Sequence, residues 1–453
     1  MTRRNNRRVS VETERARLLQ QPIEVLVERI LRLESSQPIA PARPKKKSHR
    51  PFDWSSYTTR PVALRLAYNG AKYRGLAIQP NVDDTIEGQL RIALEKAHLV
   101  RSRNDIPRFS RCGRTDKGVS ALENVVALDL RAPSDDSCLP IDYQAVLNRV
   151  LPPDIYCTGY AFVDDDFHAR HHCLGRTYQY LFFADGMDIE AMQVAANKFV
   201  GTHDFRNFCR MSVVSCHNFV RTIDGVRVGP VDEHADHIDA GRSNAAHPYD
   251  RMMALTVNAR CFLYNQIRCM MAILLLVGRR LESPSIVDEL LDVERYPRKP
   301  QYELAPEHPL ILTRCVFDEK MANFRSSSSL LTHRDLQFHL HAQWRIPRMQ
   351  AAVRHVFWRH AMSIANAYCR DEEDDDDDEN NGLHRVIQCE EVPRGRHGSR
   401  PRRHNQVLGR ATAPSLDERL ERLNPRQKER LDERLRLAQS NHQRSLFYEN
   451  PLL

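Results

Sequence analysis

The chain has no apolar run long enough to cross a bilayer. Its most apolar stretch, Cys269 to Val277, is nine residues long, and a spanning helix needs about twenty. An apolar leader is also missing from the Arg-rich N-terminus, so a secretory signal is not expected. The 11 cysteines are scattered, odd in number and without a paired framework, which suits reduced thiols in an intracellular compartment. Regular four-ligand zinc spacing is lacking as well. Cys209-x6-Cys216-His217 and His168-x2-His171-His172-Cys173 are the nearest approaches, and both read as packing rather than metal ligation. No repeat occurs at solenoid periods, which excludes stacked-repeat architectures.

What the chain does carry is positive charge. The formal net charge is +8, but Asp371 to Glu379 are nine consecutive acids; removing them leaves +17 on the remainder. A field of that size favours a polyanionic partner, most simply nucleic acid. Hydrophobic residues make up 41% of 453, enough for a substantial core, while 28% charged residues imply long solvated stretches.

Composition and periodicity divide the chain. Residues 1–50 form a basic, largely disordered extension. Within it, Ile23, Leu26, Ile30 and Leu33 have brief coiled-coil spacing, and Arg43-Pro44-Lys45-Lys46-Lys47 reads equally as a nuclear address, a phosphate-binding arm or a linker. Ordered pattern runs from 52 to 320, in two α+β halves of roughly 52–165 and 166–320. Strands are predicted over Val62–Tyr68, Val125–Leu130, Arg176–Phe183, Phe219–Val228 and Met252–Ala259. Helices are predicted over Ile86–Ala97, with an Asp84/Glu87 capping box, over Glu190–Val200 and over Gln266–Val277, with a short one after Ser283-Pro284. Beyond this come a Ser326–Ser329 linker, a helical extension within 321–370, an acidic then basic disordered linker over 371–414, and a charged helical tail over 415–453, interrupted at Pro425.

The most informative segment is Arg111-Cys112-Gly113-Arg114-Thr115-Asp116-Lys117-Gly118-Val119-Ser120-Ala121. It sets one carboxylate among three cations on a loop entering a predicted strand, a common place for function. Nearby positive charge from Arg111, Arg114 and Lys117 is expected to keep Asp116 ionised. A basic surface turn with a solvated Asp is the plain alternative.

Four further segments join it in order: Tyr68-x-Gly70-x-x-Tyr73-x-Gly75-x-x-x-Gln79, Phe167-His168-Ala169-Arg170, Arg176-Thr177-Tyr178-Gln179-Tyr180, and Phe262-Leu263-Tyr264-Asn265-Gln266-Ile267-Arg268. The first is not a phosphate-binding loop, because no Lys follows Gly75. Together the five resemble the TruA-type family of tRNA pseudouridine synthases. Arg111-Cys112-Gly113, Gly201-Thr202-His203-Asp204-Phe205-Arg206-Asn207-Phe208-Cys209 and Phe52-Asp53-Trp54-Ser55 resemble its eukaryotic branch that acts at anticodon stem-loop positions 38/39. The resemblance covers about 52–320. Leu76 replaces a usual aromatic, and Asn124 stands where the branch often has Gln.

The resemblance implies an α+β fold with a central mixed or antiparallel sheet flanked by helices and the active-site cleft in its middle. It implies an isomerase needing no metal, nucleotide or redox cofactor, and a homodimer bound to tRNA. Asp116 would be the catalytic carboxylate, Arg268 its ion-pair partner, and Tyr178 the residue lying against the uracil. Arg114 would take the place or phosphate of the flipped nucleotide. Arg111, Lys117, Arg170 and Arg206 are expected RNA contacts, with ordinary surface charge as the alternative. Residence in nucleus, cytoplasm or both is expected. Competing readings are the same chemistry at other tRNA positions or on other RNAs, a non-catalytic tRNA-binding or chaperone protein on the same fold, and a general α+β RNA-binding module. The last lacks the clustered exposed aromatics of sheet-based RNA readers.

Overall fold

β-Branched and aliphatic runs at alternate burial build nine strands among the described residues, and helices pack around them. The computed structural model describes residues 52–327 except 81, 136–138, 185, 212–217 and 232–251, isolated positions between 334 and 357, and 404–446. The 23–33 stripe, the 43–47 basic cluster, the acidic run and the basic 394–403 stretch lie outside the described residues.

In chain order the strands are β1 (Tyr57–Tyr68), β2 (Ser110–Arg111), β3 (Ser120–Pro133), β4 (Ile155–Phe162), β5 (Gly175–Phe183), β6 (Gly201–Asp204), β7 (Val220–Pro230), β8 (Met252–Ala259) and β9 (Leu310–Val316). The helices are α1 (Ile86–Lys96), α2 (Tyr143–Asn148), α3 (Ile189–Asn197), α4 (Gln266–Gly278), α5 (Ile286–Leu291), α6 (Leu416–Glu421) and α7 (Pro425–Leu446). The sheet order is β4-β1-β3-β9-β5-β8-β7-β6, with β2 on β3. All pairings are antiparallel except β3 with β9, where Ser120 faces Ile311 and Ala121 faces Leu312 in parallel. The expected α+β fold with a mixed central sheet is therefore present. None of the described helices is long and apolar enough to cross a membrane.

Several local expectations change. Thr85, not Asp84, caps α1, taking the Gly88 N–H at 3.1 Å. Glu87 cannot reach back to close a capping box, because its buried carboxylate takes Arg111, Arg91 and the Ile78 N–H instead. β4 and β9 escape the sequence pattern: Gly159 interrupts β4, and Thr313 and Arg314 interrupt the apolar run of β9. Ser326 and Ser327 are not a free linker. Ser327 is buried and bonded to Asp142 and Gln144, while Arg325 exchanges both backbone hydrogen bonds with Tyr160 of β4.

Residues 404–414, expected in a disordered linker, dock on the domain. Val407 is fully buried, and its N–H and His404 Nε2 both meet Glu282 Oε1, at 2.7 and 2.9 Å. Thr412 bridges Pro300. One apolar pair, Val407-Leu408, anchors a segment whose composition is otherwise solvated. Downstream, the Ser415/Glu418 capping box starts α6, and after a break at 422–424 Pro425 is the first residue of α7, a position where its missing N–H costs nothing.

Candidate active site

Asp116 lies on the loop between β2 and β3, and the glycine-bearing motif after β1 forms its cradle. Leu76 N–H donates to Thr115 O at 3.1 Å and Gly118 N–H to Tyr73 O at 3.2 Å. A Cβ on Gly70 would stand 2.0 Å from Val119 O, and one on Gly75, at φ +100°, would stand 2.8 Å from Thr115 O. Only glycine permits that backbone-on-backbone approach. Beneath the loop, Asn124 Nδ2 donates to Tyr68 Oη and to Gly113 O, both at 3.0 Å. The Tyr68 hydroxyl and Thr115 Oγ1 share a further hydrogen bond at 2.8 Å. The Tyr68 motif thus positions the loop that bears the carboxylate.

The far wall comes from the other half of the sheet. Tyr178, on β5, is buried edge-on against Phe262 at 5.2 Å, and its hydroxyl lies 3.9 Å from where a Gly113 Cβ would be. Burial, with Cys315 and Tyr68 nearby, raises its pKa well above the usual phenol value, so it remains a neutral hydroxyl. Arg268, in the first turn of α4, is half-buried. Its Nε donates to Ala305 O at 2.7 Å and its Nη2 to Glu307 at 3.0 Å. Glu307 was not a sequence candidate. Its Cγ would be 2.7 Å from a Cβ on Gly118, so it sits between the Asp116 loop and the arginine. Asn265, the residue just before α4, adopts a left-handed conformation at φ +60° where the chain turns into the helix.

These neighbours set the charge of Asp116. Burial pushes its pKa up and Arg268 pulls it down; Glu307 then raises it and Arg210 lowers it, for a balance of about 6. The expectation that the loop's own cations keep it fully ionised is corrected. Arg111 turns away to form a bidentate pair with buried Glu87, at 2.5 and 2.7 Å. Arg114 and Lys117 are exposed. Local sequence spacing did not fix the direction of Arg111; its partner Glu87, on α1, did. Arg268 likewise acts on Asp116 through space, while its hydrogen bonds go to the 305–307 loop.

The remaining expected RNA contacts differ from one another. Arg170 is exposed. Arg206 is half-buried and held by Asp204 at 2.6 Å within its own turn. Arg176, flagged only as part of a motif, is buried and donates to the carbonyls of Arg260, Cys112 and Arg170, tying β5 to the loop's entrance.

Among the described residues, one group has metal-ligand proximity: the buried thiols of Cys112, Cys173 and Cys315, mutually within 4.8 Å. It draws Cys173 away from the neighbouring histidines with which its spacing had grouped it. Cys112 Sγ donates to Cys315 Sγ at 3.4 Å, so the trio floors the loop. Of the other spacing, Cys209 is buried against Arg206 O, and Cys216 and His217 lie outside the described residues.

The site thus joins a half-buried carboxylate, an anchored guanidinium and a neutral phenol packed on Phe262. A family described as tRNA pseudouridine synthase matches residues 195–318. A human protein named tRNA pseudouridine(38/39) synthase is 45% identical over 288 residues, covering 60% of this chain and 58% of its own. A Caenorhabditis elegans protein named probable tRNA pseudouridine synthase tag-124 is 34% identical, covering 60% of this chain and 70% of its own. The tRNA pseudouridine synthase A of Staphylococcus aureus is 30% identical, covering 57% and 92%. The chain belongs to the tRNA pseudouridine synthase family. It spans somewhat under three fifths of the human relative's length.

Proposed function

We propose that this protein isomerises uridine to pseudouridine at positions 38 and 39 of the tRNA anticodon stem-loop, with Asp116 as the catalytic carboxylate. The observation that carries the reading is Asp116 itself: a half-buried carboxylate within electrostatic reach of the anchored Arg268, on a loop whose Gly113 lies near the Tyr178 hydroxyl. The name of the human relative supports the choice of positions.

The reaction breaks the C1′–N1 bond, turns the uracil, and forms C1′–C5; C5 loses a proton and N1 gains one. Asp116 acts on the nucleotide at C1′, C2′ or C6, and each route begins from the ionised carboxylate. With a pKa of about 6 it is mostly ionised at pH 7–8. Arg268, anchored on Ala305 and Glu307, favours that charge through space. Tyr178 offers the uracil a ring face and a neutral hydroxyl. A stacked uridine must first leave its arm, at a cost of a few kcal/mol. Arg114, exposed beside Asp116, fills its place or holds its phosphate, and Lys117 and Arg170 contact the backbone. In this reading tRNA is bound by a homodimer, in nucleus or cytoplasm, and the chemistry uses no cofactor.

The test is incubation of the purified chain with unmodified tRNA and mapping of pseudouridine. Product is expected at 38 and 39. Asp116→Ala is expected to make none while its tRNA affinity stays within a few-fold. Product from Asp116→Ala would overturn the assignment; no product from the wild-type chain would favour a non-catalytic tRNA-binding protein.

A further inference from the structure

Four arginines near the site are already engaged. Arg111 is held by Glu87, Arg206 by Asp204, Arg268 by Glu307 and Ala305, and Arg176 by three carbonyls. Arg210 is different. It follows the short 3-10 turn Arg206–Phe208, is exposed, and pairs with no carboxylate among the described residues. Its backbone N–H donates to Tyr264 O at 3.0 Å, which fixes it to the 262–268 turn. Its guanidinium carbon lies 6.0 Å from the Tyr264 ring centroid. That turn carries two aromatics with opposite roles. Phe262 packs inward on Tyr178, whereas Tyr264 leaves 53% of its surface exposed. Arg210 also stands near enough to lower the pKa of Asp116, after burial and Arg268 have set its main course.

Resting on the proposed function, we infer that Arg210 and Tyr264 form a second nucleotide subsite on the cleft's lip. Arg210 takes the phosphate joining the extruded uridine to its neighbour, and Tyr264 stacks the neighbouring base. A planar cation beside an exposed ring matches a phosphate next to a base. Stacking on tyrosine tolerates any base, because each has a π-face. The phosphate contact positions the RNA and carries no sequence information. Arg210 is thus a positioning residue for the uridine that Asp116 attacks.

The experiment uses the full chain with short anticodon stem-loop RNAs, each carrying one neutral methylphosphonate at a phosphate flanking the target. One such replacement is expected to cost the wild type about tenfold in kcat/KM and to cost Arg210→Ala nothing further. Arg210→Ala should also flatten the slope of log affinity against log salt by about one. Its acid limb should move to higher pH, since a cation favouring ionised Asp116 is gone. Tyr264→Ala should weaken binding about tenfold and Tyr264→Phe restore it. Arg210→Lys, which keeps the charge, should recover the salt slope. Independent, multiplying losses from the methylphosphonate and Arg210→Ala would overturn the inference, as would a wild-type-like Arg210→Ala whose Asp116→Ala counterpart is dead. If the wild-type chain yields no pseudouridine, the proposed function fails. The methylphosphonate comparison, read as RNA affinity, then still tests the subsite alone.

Discussion

The two halves of the sheet serve the site in different ways. The half from β1 to β4 holds the Asp116 loop by backbone contacts, close glycine approaches and the Tyr68–Asn124–Thr115 hydrogen bonds. The half from β5 to β9 contributes side chains: Tyr178, Phe262, Arg268 and Glu307. They meet at a narrow seam, the parallel pairing of Ser120 and Ala121 with Ile311 and Leu312. By comparison, β1 and β3 pair almost along their full length. The loop that bears Asp116 feeds β3 directly at this seam. One half therefore decides where the carboxylate is, and the other decides how acidic it is.

The strongest way to break this division is to remove the positional half. Gly70→Ala puts a methyl 2.0 Å from Val119 O, a backbone atom that cannot step aside. A stability loss of about 3 kcal/mol or more is expected, read from the urea midpoint, with activity lost in parallel. Next come two arginines of one motif. Arg111→Ala strips a bidentate partner from buried Glu87 and should cost about 2–4 kcal/mol while leaving the salt dependence of tRNA binding unchanged. Arg114→Ala should do the reverse, leaving the urea midpoint alone and lowering the salt slope. Equal behaviour of the two would erase the distinction between them.

Smaller effects probe the charge-setting half. Asp116 has a folded pKa of about 6 against an ordinary 3.8, so its ionisation disfavours the fold. The stability it allows is complete below about pH 4 and declines as pH rises through 6. Asp116→Asn should therefore be more stable than wild type by about 1–2 kcal/mol at pH 7.5, a figure discounted for the carboxylate's partial exposure, with the gain vanishing near pH 4. Denaturation across pH measures it. Smallest is Glu307→Gln. Losing an anion that raises the Asp116 pKa should move the acid limb of activity below pH 6 by a fraction of a unit. A shift upward would mean that Arg268, freed from Glu307, had swung away.

How far these features were legible depended on distance along the chain. β1, β3, β5, β7 and β8 and four helices show as alternation or helical spacing because each pattern lies within one segment. The Asp116 loop and the Phe262–Arg268 turn were visible for the same reason. β4 was hidden by Gly159 and β9 by its polar centre; both are strands because neighbours already in the sheet pair with them. The 404–414 strap was hidden because a single fully buried valine does not stand out from basic surroundings.

The sequence by itself determined which loop bears the carboxylate, which glycines let another backbone approach it, and which segments become most of the strands. Those outcomes depend on local sterics and periodicity, which act over a few residues. Only the tertiary structure decided that Arg111 serves Glu87, that Glu307 stands between Asp116 and Arg268, and that Asp116 sits near pH 6 instead of deep in the acid range. Charge is set by burial and by whatever lies across a few ångströms of space, and neither is written in the order of neighbours along the chain.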